Sequence, residues 1–355
     1  MKVEEPGIAE RFFFTGVGFE NYPQLRFMGN KYRLMPWIAE VLSEYSFDSA
    51  LDAFSGSGCV GYLFKTMGKQ VISNDHLNFC SMIAKATIEN DFERIDGKTL
   101  KGLLTYSPFH KHFIEATFNG IFFTQKDLRF LDLVSWNLEK LRNPYQRALG
   151  IAALVRSCVK RQPRGVFTVA GDPEHYKDGR RDLKLSLEEH FIEQVGVFNQ
   201  CVFENGKHNR VFRENVFNLD IGDVDLVYMD PPYVPRADDN CYVKRYHFLE
   251  GLSCYWKGLE IQNDSIVKKI PKIFTPFSYR RTAVEAFDRL FKKFSDSILV
   301  LSYSSNGFPD LDVLVSLMER YKNTVRVFQK EHRYHFGTHA NVERNEVQEY
   351  LIVGL

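Results

Sequence analysis

The sequence predicts an α/β fold in which a mostly parallel sheet carries helices on both faces. Short apolar runs typical of strands alternate with helical patterns from residue 49 to 75, and the alternation returns between 224 and 353. From about 96 to 205, longer amphipathic helical patterns replace it. We therefore expect a Rossmann-like sheet built from residues 1–95 and 206–355, interrupted by an inserted, mainly helical lobe at 96–205.

The individual elements follow from apolar periodicity and from turn residues. Strands are expected at 49–54, 70–75, 224–229, 297–302 and 349–353. Helices are expected at 34–43, 60–67, 124–141, 144–159, 282–294 and 311–321.

Composition limits the kinds of protein that this chain can be. No apolar run approaches the roughly 18 residues of a membrane span, and the amino terminus lacks the apolar stretch of an export signal, so we expect a cytoplasmic protein. The 6 cysteines are scattered without a C-x-x-C pair, which argues against disulfides and a zinc site, and no metal is expected.

The net charge of +1 means that any binding to a polyanion depends on local basic patches. One patch combines four basic residues without an intervening acid: Arg156, Lys160, Arg161 and Arg164. A second patch lies between Lys268 and Lys293. By itself, either patch is more typical of a solvated helix surface.

The first candidate site is the glycine-rich turn Asp52-Ala-Phe-Ser-Gly-Ser-Gly58, which follows a strand and opens a helix. Because Gly61 follows, the glycines alone would also suit a dinucleotide. Asp52 favours S-adenosylmethionine, since a carboxylate suits an ammonium group and repels a pyrophosphate. Asp75 ends the next strand, where it can accept hydrogen bonds from ribose hydroxyls or act as a turn residue.

The run Phe27-Met-Gly-Asn-Lys31 is a further candidate for the cofactor site. Its aromatic ring could cover an adenine or methionyl group, and Lys31 could offset the methionyl carboxylate. Without the other motifs, the run would be interpreted as a turn before a helix.

The most specific motif is Asp230-Pro231-Pro232-Tyr233, at the end of an apolar strand. The prolines fix an extended exit that directs the Asp230 carboxylate and the Pro231 carbonyl beyond the strand ends. Two acceptors match the two hydrogens of an exocyclic amine, and Tyr233 offers a surface for base stacking. Such contacts would orient the amine for direct methylation, without a covalent enzyme intermediate.

The order of these motifs resembles that of the Dam-type, group alpha, adenine-N6 DNA methyltransferases. The resemblance implies that Asp230, Pro231, Pro232 and Tyr233 hold a flipped adenine. It also implies that S-adenosylmethionine is held by Phe27, Lys31, Asp52, Phe54, Gly56, Gly58 and Asp75. The family's acidic residue near the cofactor adenine would correspond to Asn215, where this sequence departs from the common aspartate.

The segments 246–252 and 301–306 also resemble those of methylases from restriction-modification systems. Members of the family place target recognition in the insert, so Arg156, Lys160, Arg161 and Arg164 are expected to contact DNA. We further expect a monomer that acts on double-stranded DNA. The sequence does not decide whether a cognate restriction endonuclease acts separately beside it.

Three other functions compete with this interpretation. RNA adenine or DNA cytosine-N4 methylation would keep the enzyme class, although the aspartate at position 230 favours DNA adenine. A nonenzymatic nucleic-acid-binding protein could retain a decayed methylase fold, and a nucleotide-dependent oxidoreductase would bind NAD instead.

Overall fold

A computed structural model of the chain describes residues 3–4, 17–171, 179–235, 241–333 and 346–355. Its main sheet contains strands β1 (Val3–Glu4), β2 (Ser49–Asp52), β3 (Gln70–Asn74), β4 (Arg210–Phe212), β5 (Leu226–Met229), β7 (Ile298–Ser304), β9 (Val325–Arg333) and β10 (Glu346–Gly354). A separate antiparallel pair is formed by β6 (Val234–Pro235) and β8 (Gly307–Phe308).

The main sheet has the strand order β1-β9-β10-β7-β5-β2-β3-β4. β2 lies parallel to β3 and β5, β3 is parallel to β4, and β5 is parallel to β7. β10 runs antiparallel to both of its neighbours, β7 and β9. The parallel strands therefore end at one edge, where open α/β sheets place their ligands.

The helices are α1 (Met35–Leu42), α2 (Cys59–Thr66), α3 (Asn78–Ala84), α4 (Gly97–Leu104), α5 (Phe113–Phe118), α6 (Gln125–Glu139), α7 (Pro144–Arg161), α8 (Arg181–Lys184), α9 (Leu187–Gln200), α10 (Tyr242–Cys254), α11 (Arg280–Lys293) and α12 (Leu311–Met318). Short 3₁₀ turns lie at Phe19–Asn21, Tyr32–Leu34 and Pro276–Ser278, and a π-helical turn continues α3 at Lys85–Glu89. No helix in the described ranges is long and apolar enough to span a bilayer.

Alternate residues of the strands supply two hydrophobic cores, one on each face of the sheet. Ala50 and Leu226 join the core that includes residues of α1, α2 and α3. Leu51 and Val227 join the other core, which includes residues of α11 and α12. The predicted fold class is confirmed, since helices cover both faces of a mixed, largely parallel sheet.

The described residues of 96–205 form helices α4 to α9 and contain no strand. These helices have no separate hydrophobic core. Leu149 and Ala152 of α7 belong to the same buried cluster as Phe79 and Ile83 of α3. The division into a catalytic domain and a recognition domain stays a prediction.

The predicted elements agree closely with the structure where the amphipathic pattern is long, as in α6 and α7. Several described elements are absent from the predictions, among them β4, β9, α3, α9 and α10. β4 has only three residues, all partly exposed, so it has little apolar signal. β9 carries the polar run Gln-Lys-Glu-His-Arg at 329–333, and its pairing with β1 and β10 makes it a strand.

Candidate active site

A pocket with about 1160 Å³ of empty space lies at the carboxyl ends of β2, β3 and β5. Nine of the predicted site residues line it: Phe27, Lys31, Asp52, Phe54, Gly56, Asp75, Asn215, Asp230 and Pro232. Gly58, Pro231 and Tyr233 belong to the same turns but are not part of the pocket lining. The fold therefore brings together residues that are up to 205 positions apart in the sequence.

The glycine-rich turn requires glycine at two positions for different reasons. Gly56 has φ +51°, and a Cβ there would lie 3.0 Å from the Phe27 ring. Gly58 has φ +78° and immediately precedes α2, where a Cβ would lie 2.7 Å from the Tyr22 hydroxyl. Gly56 thus lets the backbone approach the pocket, and Gly58 lets the chain turn into the helix.

Asp75 holds the glycine turn against the end of β3. One carboxylate oxygen accepts a hydrogen bond of 2.7 Å from the Gly56 amide, and the other accepts one of 2.8 Å from the Leu77 amide. Burial raises the pKa of Asp75 to about 6, against the lowering effect of these amides. Asp75 therefore acts as a turn residue and also lines the pocket, while its contact with ribose hydroxyls stays a prediction.

Asp52 is almost completely buried at the end of β2. Its Oδ2 accepts a hydrogen bond of 3.0 Å from the Gly61 amide in the first turn of α2. Burial raises its pKa to about 8, and the nearby carboxyl groups of Asp230 and Asp75 add to this effect. Because a buried carboxylate without a cation is costly, the group favours a positively charged ligand.

Lys31 forms an ion pair with Asp230 in the pocket. Its Nζ lies 2.8 Å from each carboxylate oxygen of Asp230 and donates a further bond of 3.0 Å to the Gly29 carbonyl. Burial lowers the pKa of Lys31, but Asp230 and Glu349 more than offset this, so the net shift is upward. In the structure the partner of this ammonium is Asp230, and the predicted contact with a cofactor carboxylate stays a prediction.

The segment after Asp230 is held by a small strand pair. Pro231 is buried, while Pro232 and Tyr233 are partly exposed. Val234 pairs with Phe308, and the Tyr233 ring lies 5.2 Å from that of Tyr303 at the end of β7. Two prolines followed by this pairing fix the direction in which the turn leaves β5.

The predicted aromatic residue Phe27 packs on α10, a helix absent from the sequence-based predictions. Its ring stacks on Tyr246 with centroids 4.9 Å apart, and Tyr242 lies 5.5 Å away. The Tyr246 hydroxyl accepts a hydrogen bond from the Met28 amide, which anchors the Phe27 segment. Glu250 fixes the same helix to α3 by accepting bonds from the Asn78 and Phe79 amides.

Two further aromatic residues, Phe217 and Phe277, line the pocket and were not expected from the sequence. Their rings stack with centroids 5.7 Å apart, and Phe277 meets Phe54 edge-on at 5.4 Å. Asn215 is exposed beside them, and its side chain accepts a hydrogen bond from the Phe217 amide. Phe217 lies two positions after Asn215, and this spacing is the sequence signal that could have identified it.

The charged lining of the pocket is mainly acidic. In the described part of the chain, it contains four carboxyl groups, Asp52, Asp75, Glu214 and Asp230, against the single lysine Lys31. Lys31 is already paired with Asp230. Because Asp52 has a pKa of about 8, it is largely protonated near neutral pH until a cation binds beside it, so the other acidic groups give the pocket its negative charge. That charge attracts a cationic ligand and repels a pyrophosphate.

The four residues predicted to contact DNA have different environments. Lys160 pairs with Asp182 at 2.8 Å, and the Arg156 guanidinium donates to Gln194. Arg161 is buried and pairs with the buried Asp127 at 3.1 Å, which contradicts a phosphate contact for that residue. Arg164 is exposed.

Comparison with known proteins agrees with this geometry. The family model for D12 class N6 adenine-specific DNA methyltransferases matches residues 27–302, from the Phe27 segment to β7. The type II methyltransferase M2.HphI of Haemophilus parahaemolyticus is 30% identical over 344 residues, which cover 93% of this chain and 98% of that protein.

Two more distant relatives extend the comparison. The type II methyltransferase M.FokI of Planomicrobium okeanokoites is 26% identical, over 92% of this chain but 52% of the relative. The type II methyltransferase M.NlaIII of Neisseria lactamica is 22% identical, over 92% of this chain and 98% of the relative. The family match, which includes the glycine-rich turn and the Asp230 turn, shows that the chain is an enzyme and belongs to the D12 class of N6 adenine-specific DNA methyltransferases.

Proposed function

We propose that the protein transfers a methyl group from S-adenosylmethionine directly to N6 of an adenine flipped out of double-stranded DNA. The observation that carries this proposal is the shared pocket of Asp230, Asp75 and the Gly56 turn. A carboxylate for the target amine and a backbone turn for the cofactor thus face the same space.

The charge of the pocket supports S-adenosylmethionine as the methyl donor. Asp52 is positioned to bind the ammonium group, and Asp75 retains acceptor capacity for ribose hydroxyls. Phe54, Phe217 and Phe277 provide apolar surface for a ring, next to Asn215. When bound, the cofactor supplies an electrophilic methyl group on a sulfonium ion.

The Asp230 turn supplies the groups for the target adenine. The Asp230 carboxylate and the Pro231 carbonyl accept hydrogen bonds from the two N6 hydrogens, while Pro232 and Tyr233 contact the base. These bonds move electron density toward N6 and align its lone pair with the methyl carbon. The N6–C bond forms as the S–C bond breaks, and N6 then loses one proton to water.

Lys31 takes a positioning role in this scheme. Burial raises the pKa of Asp230, and the adjacent ammonium of Lys31 opposes that effect. The net pKa shift of Asp230 is upward, but the lysine favours the ionised acceptor form and restricts the direction of its carboxylate.

The biological setting is proposed from the relatives. Several relatives are named type II methyltransferases or modification methylases, so we propose that the protein marks a specific DNA site alongside a separate endonuclease. Its action in the cytoplasm and as a monomer stays a prediction from the sequence. Target reading is assigned to 96–205, with Arg164 as the exposed member of its basic cluster. Arg156 and Lys160 would have to leave their present partners to contact phosphate.

The test is product analysis with matched variants. Purified protein, S-adenosylmethionine carrying a labelled methyl group, and duplex DNA are incubated, and the nucleosides are identified by mass spectrometry. Wild type should yield N6-methyladenine. Asp230→Ala should lose at least about 100-fold in rate, with cofactor affinity largely retained, since one charge-assisted contact in the transition state is lost.

The control variant Asp220→Ala removes an exposed carboxylate outside the pocket and should keep full activity. N4-methylcytosine as the product, no methylation of the duplex DNA, or near-normal turnover of Asp230→Ala would each overturn the proposal.

A further inference from the structure

An exposed cluster at the mouth of the pocket is not used by the proposed chemistry. We call it the rim, and it consists of Phe274, Tyr279, Arg280 and Arg281, just before and within the first turn of α11. Phe274 lines the pocket yet remains 59% exposed, so it lies at the opening. Tyr279 is 40% exposed and stacks on Phe274, with ring centroids 5.3 Å apart.

The rim lies beside the target end of the site. The Arg280 guanidinium sits 4.6 Å from the centroid of the Phe308 ring. Phe308 pairs with Val234, which immediately follows Tyr233. The β6–β8 strand pair therefore connects the Arg280 contact to the turn that is proposed to hold adenine.

The positive charge of the rim is available to a ligand. Arg280 and Arg281 are both exposed, and neither forms an ion pair with any residue that the structure describes. By contrast, Lys160 and Arg161 of the predicted DNA cluster are paired with Asp182 and Asp127. The rim thus offers two arginines without an ion pair, whereas two of the four residues predicted from the sequence are neutralised by carboxylates.

Folding stability does not explain this arrangement. Two arginines in the first turn of α11 oppose the helix dipole, and the Tyr279 side chain makes no capping hydrogen bond. A stacked pair of aromatic rings is also left in solvent. Local features that oppose stability are expected where a surface serves a ligand.

We propose that the rim contacts the DNA next to the flipped adenine. Arg280 and Arg281 bind phosphates that flank the target nucleotide, and Phe274 with Tyr279 packs against the base left exposed when adenine leaves the stack. Paired arginines and exposed rings are the chemistry that nucleic acid recognises. The inference rests on the proposed function, because it assumes that adenine enters this pocket.

The charge part is tested with Arg280→Gln/Arg281→Gln. The control Lys207→Gln/Lys292→Gln removes the same charge from two exposed positions. Lys207 precedes β4 and Lys292 lies at the end of α11, so both are at the edge of the sheet opposite to the pocket. Duplex DNA affinity is measured across salt concentrations, together with KM for DNA, kcat and cofactor affinity. The rim variant should lose about two units of salt slope and raise KM for DNA about tenfold or more, with cofactor affinity unchanged.

The aromatic part is tested with Phe274→Leu/Tyr279→Leu and a duplex carrying 2-aminopurine at the target position, whose fluorescence rises on flipping. The control Phe92→Leu changes a ring that is 65% exposed, outside both the pocket and the 96–205 segment. The rim variant should show several-fold less fluorescence gain, while the control matches wild type. Unchanged salt slope, KM and fluorescence in the rim variants would overturn the inference, whereas failure of wild type to form N6-methyladenine would overturn the proposed function itself.

Discussion

The ammonium of Lys31 lies 2.8 Å from both carboxylate oxygens of Asp230, although 199 residues separate them in the chain. Burial alone would raise the pKa of Asp230, and the lysine counteracts this shift. The ion pair thus sets the protonation state of the group that is proposed to receive the target amine.

Lys31→Met should therefore raise the pKa of Asp230 and leave more of it protonated at neutral pH. We expect the single-turnover methylation rate to fall by about 100-fold or more. The acidic limb of the pH–rate profile should move to higher pH, since ionised Asp230 is the active form. Lys31→Arg should restore part of the rate.

The same variant distinguishes the two roles considered for Lys31. If the lysine instead binds a cofactor carboxylate, Lys31→Met would weaken cofactor binding and leave the pH profile in place. Calorimetry with S-adenosylmethionine separates these outcomes.

The raised pKa of Asp52 predicts that the affinity for the cofactor depends on pH. In the free protein its pKa is raised to about 8, and binding of an ammonium group would lower it, so binding releases a proton. Affinity for S-adenosylmethionine should rise as pH increases toward about 8 and then level. Asp52→Asn should bind S-adenosylmethionine weakly, and its affinity should no longer rise toward pH 8. Asp75, with a pKa of about 6, should still contribute to the pH dependence of affinity at lower pH. An identical pH dependence in wild type and Asp52→Asn would contradict the role of Asp52.

Gly58→Ala should destabilise the protein through both backbone strain and a steric clash. The residue has φ +78°, and the new Cβ would lie 2.7 Å from the hydroxyl of Tyr22, which is itself buried. We expect a loss of about 2–3 kcal/mol in unfolding free energy. Gly206→Ala, at φ +70° with no atom nearby, should cost about 1 kcal/mol. If denaturant titrations show equal losses of unfolding free energy for Gly58→Ala and Gly206→Ala, the steric clash with Tyr22 does not contribute.

Arg161→Ala should act on stability and not on DNA binding. Its removal leaves Asp127 buried without its ion-pair partner, at a cost of about 3–5 kcal/mol. Arg164→Ala should leave the melting temperature nearly unchanged, because that side chain is exposed. A stable Arg161→Ala protein with about one unit less salt slope would instead support a phosphate contact.

The sequence was sufficient to predict the fold class and the three turns that meet at the pocket, because both are encoded locally. Alternating apolar runs identify β2, β3 and β5, and each of these strands is followed by a turn that can be recognised at short range: Asp52 to Gly58, Asp75, and Asp230 to Tyr233. Parallel strands that belong to one sheet necessarily end at the same edge, so these turns had to meet.

The partners of those residues were decided by the tertiary structure. Lys31 pairs with Asp230, and Arg161 is buried against Asp127, because packing brings side chains together that no sequence spacing relates. The same holds for Phe277 beside Phe217, and for Phe274 and Tyr279 at the pocket mouth. A motif fixes which chemical group a turn presents, whereas burial and neighbouring charges, which depend on the whole fold, determine its charge state and what it can bind.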